Sequence, residues 1–123
     1  MDRDRLRSIA SEIARQAVER LELDDPDVLR AVQSEPLPES DPLRATLFRV
    51  VERLDEVAWE IQSRIDEGTG TEAEYESAFT RARAAHALWF SLDPDPMVAA
   101  KESAYEAYSA TDDLSWIEDL VGD

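Results

Sequence analysis

Between residues 43 and 61 the chain places Leu43, Leu47, Val50, Leu54, Val57 and Ile61 alternately four and three residues apart. An apolar series with that spacing lies along one side of an α-helix and cannot be a half-buried strand, whose side chains alternate every second residue. It predicts a long helix over about residues 42 to 67 with a bundle-type seam, the spine of the expected fold. A seam of that length must be covered, and the chain supplies the cover at once. Gly68 and Gly70 permit a tight turn, and Thr71 with Glu74 three residues on forms a capping box. A second long helix, about 72 to 92, then carries Tyr75, Ala78, Phe79, Ala82, Ala85 and Trp89 on one face. The two are expected to form an antiparallel helical hairpin.

Other helix starts are equally legible. Asp followed by Pro recurs at Asp25-Pro26, Asp41-Pro42 and Asp95-Pro96, an N-cap acceptor ahead of a residue that has no amide hydrogen to leave unpaired. The reading adds a first helix over about 4 to 22 (Leu6, Ile9, Ala10, Ile13, Ala17, Leu21), a short one over about 26 to 34, and one over about 96 to 110 (Met97, Ala100, Ala104, Ala107, Tyr108). A last amphipathic turn or two runs from Asp112 to Val121, and Glu35 to Ser40 is a proline-stiffened connector. No segment has a strand pattern. The expected fold is therefore all-α: a single-domain antiparallel bundle of about five helices around a central hairpin, in a chain of 123 residues, long enough for one core.

Charge sets the surface. Acidic residues number 29 against 13 basic ones, a formal net charge of −16, and Lys101 is the only lysine. Residues 93 to 123 form the acidic pole, with one basic and nine acidic groups. Such a balance fits adaptation to concentrated salt, where self-repulsion is screened within about 3 Å at 1 M. Alternatively it serves as a dedicated acidic interface that imitates a nucleic-acid backbone. Direct binding to DNA or RNA is not expected, because affinity for phosphates rests on clustered Lys and Arg. With no cysteine there is no disulfide, thiolate nucleophile or Cys-ligated metal. The Met-Asp-Arg-Asp-Arg start lacks a secretory apolar segment, and no run of about 18 apolar residues suggests a membrane span. A cytoplasmic protein without a cofactor is the expectation.

Three groups of residues invite a function. His86, the only histidine, falls within the apolar stripe of Tyr75, Phe79, Ala82 and Trp89 and reads as a hydrogen-bonded core residue. Glu52, Glu56 and Glu60 repeat every four residues, opposite the seam, and read as a solvated face rather than a magnesium site. Glu52 and Asp55 alone remain of the carboxylate pattern of the all-helical nucleotide pyrophosphohydrolases, whose first cluster is missing, so the chain is not assigned to that family. Phe48 and Trp59, eleven residues apart, share a side of the long helix away from its seam, with Glu52 and Asp55 between them. Either the first or fifth helix covers them, or they serve a homodimer or a partner protein. In the C-terminal segment Trp116, Ile117 and Leu120 are flanked by acids; they fold back on the bundle or dock in a partner's groove. The expected function is thus a non-enzymatic acidic helical protein acting through protein–protein interaction or self-association. A metal-dependent helical-bundle hydrolase, a small-ligand-binding protein and an acidic nucleic-acid mimic are the alternatives.

Overall fold

A computed structural model describes residues 2–33 and 41–122. Among them are α1 (Arg3–Arg20), α2 (Pro26–Gln33), α3 (Asp41–Asp66), α4 (Glu72–Ser91), α5 (Pro96–Thr111) and α6 (Ser115–Val121), and no strand. The fold is an all-α bundle of six described helices, the C-terminal amphipathic turns forming α6. The Glu35 to Ser40 connector lies outside the described residues. Capping explains where the helices begin. The Asp2 carboxylate accepts from the Arg5 amide at 2.7 Å, Asp25 from Asp27 at 2.9 Å, and Asp95 from Met97 at 2.9 Å. The Thr71 hydroxyl accepts from the Glu74 amide at 3.2 Å and donates to the Glu74 carboxylate at 3.0 Å. At the end of α3, Gly68 takes a φ of 84°, open to glycine at little cost. The chain then turns back so that the Thr69 and Gly70 amides both donate to the Arg64 carbonyl, at 2.8 and 3.1 Å.

α4, rather than α3, is the hub, with α1, α3 and α5 all packed against it. Ala82, Ala84, Ala85, Ala87, Leu88 and Ser91 are buried, and at about 100° per residue these positions cover more than half of the helix circumference. The expected single stripe is therefore incomplete, because the second half of α4 is surrounded while the first half is not. Phe79, placed in that stripe, is 37% exposed. α1 runs antiparallel to α4: the Arg7 guanidinium donates to the Ser91 and Pro94 carbonyls at 3.1 Å each, and at the other end Arg81 donates to the Leu21 carbonyl at 3.2 Å. α3 is also antiparallel to α4, with Phe48 against Trp89 and Asp55 against His86.

Two registers differ from the periodicity. Along α3 the buried residues are Leu47, Val50, Val51, Ala58 and Ile61, while Val57 is 42% exposed. A strict seven-residue repeat drifts by about 20° per heptad on a straight helix, so by the third repeat Ala58 has replaced Val57 on the seam. α5 turns Ala99, Ser103, Glu106, Ala107 and Ala110 inward and leaves Met97 (50%) and Tyr108 (42%) exposed. The inward set is small, and helix axes approach closely only where short side chains meet. One core cluster joins all six helices, from Ile13 and Val28 through Val51 and Leu88 to Ala107 and Ile117.

Candidate interaction surface

α3 and α4 continue past the helices that support them. α1 ends at the level of Arg81, where the Leu21 carbonyl receives the guanidinium. Beyond that level α4 is exposed except for the half-buried Tyr75, Ala78 and Thr80. On α3 the stretch from Val57 to Asp66 buries only Ala58 and Ile61. These ten residues span about 15 Å, and the result is a two-helix arm with two distinct flanks.

The first flank is aromatic and charged. Positions 48, 55 and 59 of α3 fall within a narrow sector of the helix, and 79, 83, 86 and 90 line the adjoining edge of α4. Phe48 lies against Trp89 with ring centroids 5.3 Å apart, Trp89 meets Phe90 edge-on at 5.0 Å, and the Arg44 guanidinium sits 4.9 Å above Trp89. Thus the residue that packs against Phe48 comes from α4, not from the first or fifth helix. Phe48 remains 42% exposed, and Trp59 is 75% exposed without a ring partner among the described residues.

Between these aromatics runs an ion network that joins three helices. The Asp55 carboxylate accepts from Arg83 at 3.4 Å and lies 2.9 Å from His86 Nε2, and Arg83 also donates to Glu106 of α5 at 3.1 Å. Glu106 is only 6% exposed. A carboxylate so buried requires a charge-assisted partner, and Arg83 supplies it while resting 5.4 Å above the Phe79 ring. His86 is hydrogen-bonded at the margin of the core, its side chain 18% exposed. The network ties α3, α4 and α5 together. Sequence reasoning named Asp55 and His86 separately and passed over Glu106. Its one signal was a carboxylate among the small residues Ser103, Ala107 and Ala110.

The opposite flank is an apolar groove of about 530 Å³, lined by Leu54, Val57 and Ile61 of α3 and Ala73, Ser77 and Ala78 of α4, with Glu74 and Arg81 at its edges. A second cleft of about 360 Å³ shares Leu54 and Arg81 and runs on past Val50 to Leu23, Asp25 and Val28. Arg81 is anchored across the junction by the Leu21 carbonyl and by Asp24 at 3.7 Å. Arg53 pairs with Asp25 beside it. Val57, assigned to the internal seam by periodicity, is thus a wall of this open groove.

The remaining candidates are placed differently. Trp116 and Ile117 are 7% and 3% exposed within the bundle's own core, and Leu120 is half-buried against it. The Trp116 indole donates to the Thr111 hydroxyl at 3.2 Å, and Arg20 covers the ring at 4.6 Å. In this fold α6 lies back on the bundle with Trp116 and Ile117 turned into the core and its other residues at the surface. Glu52, Glu56 and Glu60 are exposed along α3. Among the described residues no three His, Cys, Asp or Glu converge to hold a metal ion, and no helix is long and apolar enough to cross a membrane. No known protein family, curated protein or solved structure matches the chain.

Proposed function

We propose that this chain is a protein-binding module whose α3–α4 arm receives an amphipathic helix from a partner protein in the Leu54–Val57–Ile61 groove. The observation that carries the proposal is an apolar channel between two antiparallel helices that α1 does not reach. A third helix laid along such a channel buries its anchors at i, i+3 or i+4, and i+7, the usual mode of helix-in-groove recognition. Charge favours a different protein over a second copy, since each copy brings a net charge of −16 and like charges oppose association until salt screens them. The same charge suits a cytoplasm rich in salt, where the module stays soluble as a single domain.

Affinity capture from host lysate at native salt, repeated with Val57→Asp and Trp59→Ala, tests the reading. Val57 is 42% exposed, so its substitution leaves the fold intact. A carboxylate at the centre of the groove should cost about 2 kcal/mol or more, roughly thirtyfold in affinity. A partner held by wild type and by Trp59→Ala but lost by Val57→Asp supports the groove. Equal capture by Val57→Asp overturns it, and a clean dimer dissolved by Val57→Asp replaces the partner with a second copy.

A further inference from the structure

At the other end of the bundle α1, α5 and the end of α6 border an open cleft of about 320 Å³, lined by Leu6, Ile9, Met97, Ala100, Lys101, Ala104 and Val121. We infer that this cleft binds a free medium-chain carboxylate, its alkyl tail along Ile9 and Ala104 and its head on the Lys101 ammonium. Every other lining residue is apolar, so the cleft offers a ligand one charge and otherwise only hydrocarbon. That charge is the chain's single lysine, and it is unspent. Despite 29 acidic residues, the helical neighbours of Lys101 at 97, 98, 104 and 105 are Met, Val, Ala and Tyr. None of the ion pairs among the described residues includes it.

The lining sets the size and class of ligand. A volume near the lower end of small-molecule sites, about 300 Å³, suits one short chain rather than a ring system or a peptide. Ala100 and Ala104 give a low floor, and Met97, half exposed, has the unbranched, adaptable side chain that moulds to an alkyl tail. A neutral tail alone would fill the floor and leave the ammonium to water. A carboxylate satisfies both.

Methyl-labelled methionine gives a direct readout by NMR, because Met97 lines the cleft and the only other methionine is Met1. The full chain is titrated with hexanoate, octanoate and octanol. The expected result is a saturable Met97 shift, with affinity rising about three- to fourfold per added methylene. Lys101→Gln, at an exposed position, should weaken octanoate about two- to fivefold and leave octanol unchanged. Ala100→Phe fills the floor and should abolish saturable binding of all three. Octanoate binding that is unchanged in both variants, or a Met97 shift that never saturates, overturns the proposal. So does equal affinity for octanoate and octanol in the wild type.

Discussion

Glu106→Ala is the perturbation most directly priced by the structure. The wild-type carboxylate is 6% exposed, and both of its oxygens face Arg83 Nη1, at 3.1 and 3.5 Å. Removing it leaves a guanidinium whose side chain is 23% exposed and whose Nε already has no partner. Breaking a fully buried pair in this way costs about 3–5 kcal/mol. Here Arg83 keeps Asp55 at 3.4 Å and reaches solvent in part, so the expected loss is smaller, about 2–3 kcal/mol. For a chain of this size that corresponds to a fall in Tm of about 8–12 °C. Thermal unfolding followed by circular dichroism measures it. A second arm separates charge from packing: Arg83→Met/Glu106→Met, which replaces the pair by hydrocarbon, should recover most of the loss. A Glu106→Ala Tm within about 2 °C of wild type, or a double variant less stable than the single one, would refute the view that Arg83 and Glu106 depend on each other.

Trp116→Ala should cost about 3–5 kcal/mol, because the side chain is a core residue only 7% exposed; a Tm close to wild type would return α6 to the status of a detachable segment. Asp113 is held below the usual carboxylate value by the Ser115 hydroxyl and then by the Ser115 amide, at 2.6 and 2.9 Å. A depressed carboxyl stabilises the fold above its unfolded pKa and loses that contribution as pH falls through its own lowered value, so acid titration followed at Trp116 should lose a component in Asp113→Asn; identical profiles would exclude a contribution from the Ser115 hydrogen bonds. Self-repulsion predicts that Tm rises with KCl between about 0.1 and 1 M, as the screening length falls from about 10 to 3 Å. A flat or falling Tm in that series would mean that the −16 charge is already locally compensated.

Helix starts were readable because their causes are local: Asp25, Thr71 and Asp95 bond to amides two or three residues away, whatever the rest of the chain does. Rotation about a helix axis is not local, and that is where periodicity misled. Val57 and Ala58 compete for one seam position, and the drift of a seven-residue repeat around an α-helix favours the alanine. On α5 the larger Met97 and Tyr108 look like core residues by hydrophobicity, but the close approach to α1 and α4 selects Ala99, Ser103 and Ala107. The site followed the same division. Phe48 and Trp59 were found by spacing along one helix, whereas Asp55, Arg83, His86 and Glu106 form a network only once three helices have fixed rotations. Trp116 and Ile117 carried no local sign that distinguishes a helix packed on its own bundle from one free to dock elsewhere, since both are amphipathic.

The alanines of α4 have a consequence for how this fold can be probed and altered. A centre built from Ala82, Ala84, Ala85 and Ala87 offers almost no side-chain atoms to remove, so truncation experiments would pass over the most constrained part of the molecule. Enlargement is the informative direction. A valine or leucine at Ala84 or Ala87, both wholly inaccessible, must push whole helices apart, at a cost of about 1–3 kcal/mol or more. Larger side chains are therefore blocked at these positions, whereas exposed positions of the arm such as Val57 and Trp59 can be enlarged without moving a helix.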